Sequence, residues 1–213
     1  MGIVRSNISV SIDGYAAGPN QSTENPLGEG GEEMHEWAIN LDRWRQAHGK
    51  EGGETNASSA VMDETIAGIG AGIMGRNMFG GGPGPWPENP SWDGWWGEDP
   101  PYHVPVFVLT HHEREPLEME GGTTFHFVTD GVESAVAKAQ DAAGDQDVHV
   151  PGGADTINQT LRAGLLDELE LHITPVLLGG GARLLDDIAG VRFELVRAVE
   201  APGVTHIKYR VVK

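Results

Sequence analysis

A chain of 213 residues is long enough to bury a sizeable hydrophobic core, and we expect residues 1–213 to form a single domain. Its formal net charge of −18 argues against nucleic acid or an anionic membrane as partner, because both require a basic protein surface. The chain has no cysteine, which excludes disulfides and thiolate catalysis, and no apolar run approaches the ~20 residues of a membrane span. Composition therefore predicts a soluble, acidic, cytoplasmic protein.

The first predicted strand covers residues 3–12, in which apolar and polar residues alternate, and it ends at the turn dipeptide Asp13-Gly14. The small residues Ala16-Ala17-Gly18 follow, where a flat ring could lie against the backbone. After an exposed loop, apolar residues recur at helical spacing, which predicts one amphipathic helix over residues 32–47. We expect residues 48–57 to form another polar loop.

A second helix is predicted over residues 58–69, followed by a short buried strand at 70–74. The segment Gly75-Arg76-Asn77 comes directly after that strand. Arg76 offers a bidentate cation, and Asn77 can cap a helix that begins at Met78, so an anion site is chemically sensible here. An exposed arginine in an ordinary turn is an equally good interpretation.

The segment 80–103 is long for a loop of a compact domain and contains Trp86, Trp92, Trp95 and Trp96. Loops of this length often act as lids over functional sites. The tryptophans imply a surface that is partly buried. We expect it to pack on the core, on a partner subunit or on a planar substrate, in that order.

A continuous apolar strand at 104–109 is typical of buried parallel sheets and ends in Thr110-His111-His112. Adjacent histidines on an extended segment point apart, and no nearby residues complete a set of ligands, so the sequence does not favour a metal site. A hydroxyl with imidazoles at the carboxyl end of a strand suits a phosphate better. A strand at 123–128 and a helix at 132–143 follow.

Residues 148–181 carry the most informative pattern: a short strand, the dipeptide Gly152-Gly153, a helix, a second strand and a glycine loop. The free N–H groups and the positive dipole end of that helix point at the glycine turn, which suits a pyrophosphate. A turn without a ligand is the alternative for an isolated glycine pair. From residue 167 the alternation predicts a strand with one buried face, and an antiparallel hairpin is predicted at 191–201 and 204–212.

These motifs occur in one order along the chain: Ser11-Ile12-Asp13-Gly14, Met74-Gly75-Arg76-Asn77-Met78-Phe79, Val106-Phe107-Val108-Leu109-Thr110, Pro151-Gly152-Gly153-Ala154-Asp155-Thr156, Ala163-Gly164-Leu165-Leu166-Asp167-Glu168-Leu169 and Pro175-Val176-Leu177-Leu178-Gly179-Gly180-Gly181. Together they resemble the dihydrofolate reductase superfamily and, within it, the reductase domain of the riboflavin-biosynthesis deaminase-reductase proteins. The resemblance covers almost the whole chain. No zinc-deaminase motif accompanies these segments, so the sequence resembles a free-standing member.

The resemblance implies an α/β, dihydrofolate reductase-like fold, with a mainly parallel twisted sheet flanked by helices and a C-terminal antiparallel hairpin. It also implies NADPH bound along the strand ends, with the nicotinamide near Ala16, Ala17 and Gly18. The 2′-phosphate would be held by Arg76, Thr110, His111 and His112. The pyrophosphate would lie between two helix N-termini, formed by Gly75, Arg76, Asn77 and Met78 and by Gly152, Gly153, Ala154, Asp155 and Thr156. Met78 departs from the folate enzymes by replacing a threonine, and Asp155 by placing a carboxylate near the phosphates.

The implied reaction is direct hydride transfer from NADPH to a C=N or C=O carbon of a small pyrimidine- or pterin-like substrate, without metal or flavin. Asp13 or Glu33 is the candidate carboxyl group that orients or protonates the substrate, although each also fits a simpler role as turn former or surface charge. His35 and Trp37 are candidates for the substrate pocket, and Trp37 also fits a core position.

The favoured substrate is an aminopyrimidine bearing a ribose phosphate, as in the riboflavin-pathway 5-amino-6-(5-phosphoribosylamino)uracil reductase. The alternatives are dihydrofolate reductase proper, flavin-mediated reduction, and a non-catalytic, nucleotide-binding dimeric scaffold. Relatives of this domain commonly form homodimers, and we expect one here.

Overall fold

The computed structural model describes residues 2–88 and 91–213, so positions 89 and 90 of the tryptophan-containing loop lie outside the described residues. The strands are β1 (Val4–Ser11), β2 (Tyr15–Ala17), β3 (Ile69–Gly75), β4 (Pro105–Leu109), β5 (Leu117–Glu118), β6 (Thr124–Val128), β7 (Asp147–Gly152), β8 (Glu168–Thr174), β9 (Ala182–Arg183), β10 (Arg192–Ala201) and β11 (Val204–Val212). The helices are α1 (Glu36–Ile39), α2 (Asp42–Ala47), α3 (Ala57–Ile66), α4 (Arg76–Phe79), α5 (Val132–Ala143) and α6 (Ala154–Arg162), with 3-10 turns at Gly31–His35 and Glu120–Gly122.

The main sheet has the strand order β10-β11-β8-β1-β7-β3-β4-β6-β5, and β2 pairs with β9 beside it. The strands from β8 to β6 are parallel, whereas β10, β11 and β5 are antiparallel to their neighbours. The expected fold class, a mainly parallel sheet with helices and a C-terminal hairpin, is confirmed. Because parallel strands point the same way, the segments that follow them gather at one edge, called the carboxyl edge below.

One face of the sheet, called the apolar face, packs against α5 and α6. Its buried cluster joins Val10 of β1 and Val150 of β7 to Val136 of α5 and to Ile157 and Leu161 of α6. The helix predicted at 132–143 and the helix predicted after Gly153 both form, because their apolar residues recur every three or four positions and meet this face.

The opposite face, called the polar face where it covers β1, β8 and β11, carries polar side chains. In the strand register, Asn7 lies opposite Glu170 and Ser9 lies opposite His172, which in turn lies opposite His206 of β11. Helices α1 and α3 cover these residues, so Glu170 and His172 are only 5 % and 2 % exposed. The prediction that β8 has one buried face is therefore wrong, since both its faces are covered.

The single helix predicted over residues 32–47 is also wrong. The segment forms the 3-10 turn Gly31–His35, then α1, then α2, with a break at Leu41, whose backbone is extended (φ −69°, ψ 141°). Asp42 N–H donates to the Glu54 carbonyl (3.0 Å), and Glu54 N–H donates to that of Asn40 (2.8 Å). Hydrogen bonds to the polar loop thus replace helical ones, while Leu41 stays fully buried.

Two predicted helix boundaries differ from the structure. Helix α4 begins at Arg76 and its N-cap is Gly75, so Asn77 lies inside the helix and does not cap it. Helix α3 ends at Ile66 rather than at residue 69, because β3 begins at Ile69.

Within residues 2–88 and 91–213, no helix combines the length and apolarity that crossing a bilayer requires.

The described part of the loop 80–103 packs on the molecule's own core, the first of the three expectations. Trp86, Trp92 and Trp96 lie against a second buried cluster, called the aromatic cluster, formed by Met74, Phe79, Val106, Val108 and Phe125. Trp92 Nε1 donates to the Phe79 carbonyl (2.9 Å), and the rings of Trp96 and Phe125 stack with centroids 5.8 Å apart. The loop therefore packs against β3, β4 and β6.

Candidate functional site

The two glycine turns predicted to hold a pyrophosphate lie side by side at the carboxyl edge. Met74 of β3 pairs with Gly152 of β7, which brings Gly75 next to Thr156. A Cβ atom at Gly75 would lie 2.5 Å from Thr156 Oγ1, so only glycine permits this approach without a shift. The Gly152–Gly153 peptide bond is cis. Turns far apart in sequence therefore form one continuous backbone surface.

Helix α6 presents its N-terminus at this surface. The first N–H···O bond of the helix runs from Ile157 to Gly153, so the N–H groups of Ala154, Asp155 and Thr156 have no acceptor inside the helix. A Cβ atom at Gly153 would meet nothing within 4 Å, so the space beside the turn is open. Free donors, the helix dipole and open space are the features that an anion requires.

The carboxylate of Asp155 points along its own helix. Its side chain is 81 % exposed, accepts a hydrogen bond from Gln159 Nε2 (2.6 Å) and lies 3.7 Å from Arg162 Nη2. These partners occupy the carboxylate, which lessens its repulsion of an anion at the N–H groups. Thr156, in contrast, is buried beside Gly75.

Arg76 lies beside the segment Thr110-His111-His112. Arg76 Nη1 lies 3.4 Å from Thr110 Oγ1, and the same hydroxyl accepts a hydrogen bond from His112 N–H (3.2 Å). His111 is exposed and His112 is half-buried. Helix α4 has only four residues, so the guanidinium, rather than a helix dipole, supplies the positive charge on this side.

Two residues of this corner were not predicted from the sequence. The Trp86 ring centroid lies 3.1 Å from the guanidinium carbon of Arg76 and 4.9 Å from that of Arg114. Burial lowers the pKa of Arg76, and the charge of Arg114 lowers it further. The sequence shows only that the arginines and the tryptophan are present, and it does not indicate that their side chains are in contact.

The segment Ala16-Ala17-Gly18 is packed by protein. Ala16 and Ala17 are buried in β2, which pairs with β9. A Cβ atom at Gly18 would lie 1.9 Å from the Glu29 carbonyl oxygen, and one at Gly181 would lie 2.1 Å from that of Ala17. Chain packing alone thus requires small residues here, whether or not a ring lies beside them.

Asp13 ties the turn after β1 to the loop after β8. Its carboxylate accepts hydrogen bonds from Ser11 Oγ (2.6 Å), Leu178 N–H (3.2 Å) and Gly179 N–H (2.7 Å). The Ser11 hydrogen bond, followed by those from the Gly179 and Leu178 backbone, lowers the pKa of Asp13 below its ordinary value. An ionised, fully engaged carboxylate suits a structural tie better than a proton donor.

The other candidates lie in or beside the 3-10 turn. Glu33 is exposed. His35 is half-buried, with Nδ1 3.2 Å from the Gly31 carbonyl oxygen, and burial lowers its pKa. Trp37 lies over the polar face: Nε1 donates to Ser9 Oγ (3.1 Å), and its ring centroid is 4.7 Å from that of His172.

Beneath Trp37 runs a chain of hydrogen bonds, called the histidine chain, through His149, Asn7, His172, His206 and Ser58. Asn7 Nδ2 lies 3.4 Å from His172 Nε2 and, as an amide, must donate, which leaves the proton of His172 on Nδ1. His172 Nδ1 then donates to His206 Nδ1 (2.8 Å), and His206 Nε2 donates to Ser58 Oγ (2.9 Å).

Burial lowers the pKa of His149 and His172 to about 3 and that of His206 to about 4, so the histidine chain is uncharged at neutral pH. The sequence pattern that could have revealed the histidine chain is the alternation of polar residues Asn7, Ser9 and Ser11 in a strand that two others flank.

Across the described ranges, no group of three or more His, Cys, Asp or Glu residues is arranged to hold a metal ion.

Known proteins share this architecture. A protein from Shewanella sp. PV-4 that is assigned to riboflavin biosynthesis is 21% identical, with 99% of each chain covered and a TM-score of 0.65. A diaminohydroxyphosphoribosylaminopyrimidine deaminase/5-amino-6-(5-phosphoribosylamino)uracil reductase from Thermotoga maritima is 14% identical over 98% of this chain and 56% of that one, with a TM-score of 0.54. Dihydrofolate reductase from Enterococcus faecalis, complexed with NADP(H), is 14% identical over 100% of this chain and 98% of that one, with a TM-score of 0.53.

At these identities the structures show a shared fold. No protein of curated function matches the chain significantly. A family model described as the RibD C-terminal domain matches residues 3–207, nearly the whole length. The chain therefore belongs to the RibD C-terminal domain family.

Proposed function

We propose that the chain is an NADPH-dependent reductase that transfers a hydride to a C=N or C=O carbon of a small pyrimidine- or pterin-like substrate. The observation that carries the proposal is the convergence of the Gly75 and Gly152-Gly153 turns, with the N-terminus of α6, on one open surface. Membership of the RibD C-terminal domain family supports the same reaction class.

The residues of the carboxyl edge fit a dinucleotide in shape and charge. Gly75 closes one side by packing on Thr156, whereas Gly153 leaves its side open, so a pyrophosphate could lie against the N–H groups of residues 154–156. The molecule has a net charge of −18, so a polyanion needs local cations, and Arg76 beside Thr110 supplies one. His111 and His112 extend that corner as proposed 2′-phosphate contacts.

When bound, NADPH would supply the hydride. The chain's part is to hold the phosphates, to place the nicotinamide beside Ala16-Ala17-Gly18 and to align the acceptor carbon. Asp13 is held ionised by its hydrogen bonds and Glu33 is exposed, so we expect the proton to come from water. Neither residue is then a required acid.

The substrate is assigned to the polar-face side of the carboxyl edge. The apolar side is filled by α5 and α6, whereas Trp37 lies over Ser9 and His172 on the other side, and His35 is close enough to His172 to lower its pKa. Flat, half-buried rings of this kind suit a planar heterocycle. We favour an aminopyrimidine bearing a ribose phosphate, and dihydrofolate is the second candidate because the fold is shared with dihydrofolate reductase.

The homodimer stays a prediction. Edge strand β10 exposes Leu195 and Val196, which are 64 % and 46 % exposed at an irregularity of the strand pair. Trp86, Trp92 and Trp96, in contrast, pack on the core and offer less apolar surface than the sequence led us to expect.

Calorimetric titration with NADPH tests the cofactor proposal. We expect Gly153→Ala to keep the fold, because its Cβ meets open space, but to weaken NADPH binding roughly tenfold, about 1.4 kcal/mol, by narrowing the pyrophosphate surface. Gly180→Ala is the matched control, since a Cβ there also meets nothing within 4 Å. Equal effects of both variants, or no binding to the unaltered protein, would contradict the proposal.

Oxidation of NADPH then distinguishes a reductase from a non-catalytic scaffold that only binds the nucleotide. A panel of aminopyrimidine ribose phosphates, dihydrofolate and pterins is mixed with the NADPH complex, and the loss of NADPH absorbance is followed. Binding without oxidation of NADPH by any of them would favour the non-catalytic scaffold.

A further inference from the structure

Trp86 joins the two segments that form the proposed 2′-phosphate corner. Its ring faces the guanidinium of Arg76 at 3.1 Å, and its Nε1 donates to the His112 carbonyl (3.1 Å). The ring is itself held edge-on by Phe79 (5.9 Å between centroids) and Phe127 (5.4 Å). One indole therefore links the start of α4 to the segment after β4.

The guanidinium of Arg76 is only partly engaged. An arginine has five N–H groups, and here Nε donates to the Gly80 carbonyl (3.1 Å), one Nη2 hydrogen to that of Gly82 (2.9 Å) and one Nη1 hydrogen to Thr110 Oγ1 (3.4 Å). Among the described residues, one N–H on each terminal nitrogen is left. A pair of this kind matches two oxygens of a phosphate.

The surrounding charges do not by themselves favour a phosphate at this corner. Arg114 lies on the same indole and lowers the pKa of Arg76, while Asp93 neutralises Arg114 at 3.4 Å. The carboxylates of Glu88, Glu113 and Glu115 line the cavity beside the ring and oppose a phosphate. Phosphate binding therefore depends on how firmly the Arg76 guanidinium is held in place. A fixed guanidinium binds a phosphate more tightly than a mobile one, because no conformational freedom is lost on binding.

We propose that Trp86 is a positioning residue: by stacking on Arg76 it fixes the guanidinium beside Thr110, leaves the two remaining N–H groups for a phosphate, and so sets a preference for NADPH over NADH. The inference rests on the proposed function. It adds a specificity determinant that lies outside the cofactor-contacting residues carried over from the resemblance.

The test is calorimetric titration of NADPH and NADH into the unaltered protein and into Trp86→Leu, Trp86→Phe and Trp96→Leu. Trp86→Leu should weaken NADPH binding by roughly tenfold and leave NADH binding unchanged, because the Arg76 guanidinium is proposed to contact the 2′-phosphate, which NADH lacks. Trp86→Phe keeps a ring under the guanidinium and should recover most of the preference. Trp96→Leu removes a loop indole that stacks on Phe125, and should change neither affinity.

The outcomes separate the two proposals. If the unaltered protein binds neither nucleotide, the proposed function fails and the inference falls with it. If it binds NADPH but Trp86→Leu weakens both nucleotides alike, or Trp96→Leu lowers the preference equally, Trp86 is a packing residue and only the inference fails. Thermal unfolding of each variant shows whether the fold is retained.

Discussion

The apolar and polar faces of the sheet are equally covered but are stabilised differently. On the apolar face, Ile157 and Leu161 meet strand residues of similar character, and stability there depends on volume and contact. On the polar face, His172 and His206 are 2 % and 0 % exposed, yet each needs a specific hydrogen-bond partner. A buried face can therefore be stabilised by packing or by an ordered set of hydrogen bonds. Only the hydrogen-bonded face contains titratable side chains, so only its contribution to stability depends on pH.

The largest expected effect is on the apolar face. Ile157→Ala should lower the free energy of unfolding by about 2–5 kcal/mol, because the side chain is fully buried and leaves a cavity. Urea denaturation measures the change. Ile66→Ala is the control: its side chain is 46 % exposed, and its loss should cost less than about 0.5 kcal/mol. The loss for Ile157→Ala should be the same at pH 7 and pH 5, as no titratable group is involved.

A smaller, pH-dependent effect is expected on the polar face. His206→Asn keeps an acceptor for His172 but loses the donor to Ser58, which should cost about 1–3 kcal/mol at pH 7. The folded pKa of His206 is about 4, below its ordinary value of 6.5, so the unfolded chain takes up a proton that the folded protein refuses. Stability is therefore lost as the pH falls below 6.5, by about 1.4 kcal/mol per pH unit for this histidine.

Urea denaturation between pH 7 and pH 4.5 tests the sign. The variant should show a shallower fall in unfolding free energy than the unaltered protein, and the two curves should converge toward low pH. Ile66→Ala, which alters no titratable group, is the control and should leave the slope unchanged. Identical slopes for His206→Asn and the unaltered protein would rule out the neutral histidine chain.

The smallest effect is expected where helix α1 meets the polar face. Trp37→Phe removes the N–H donated to Ser9 Oγ but keeps a ring over His172, and should cost about 1 kcal/mol. A double-mutant cycle with Ser9→Ala isolates the hydrogen bond. Additive losses in the unfolding free energy would mean that Trp37 acts through packing alone.

Much of the fold could be predicted because local pattern and final environment agree. The helix Val132–Ala143 has alanine and valine at helical spacing and meets a flat apolar face, so the period alone identifies it. The helix over 32–47 was predicted from the same kind of period and does not form, because Leu41 is extended and its neighbours bond to Glu54. A partner distant in sequence decided the backbone there, and single-sequence periodicity contains no information about it.

The candidate site likewise contains some contacts that the sequence predicts and others that it does not. The meeting of Gly75 with Thr156, and of Arg76 with Thr110, follows from parallel strands ending at one edge, which the order of motifs predicts. The contact between Trp86 and Arg76 could not be predicted, because it depends on how a long loop folds back. The role of Asp13 was equally hidden, since its partners at residues 178 and 179 are joined to it only by the completed sheet.

The central position of β1 has a consequence for how the molecule is made. Val4 N–H donates to Asp167 Oδ2 across 163 positions, and among the described strands β1 pairs with β7 and β8 in the main sheet. Strand β1 is therefore synthesised well before β7 and β8, the two strands that pair with it. Such distant pairing raises the contact order and slows folding. Until that pairing forms, the apolar residues of β1 remain exposed to chaperones and to other chains.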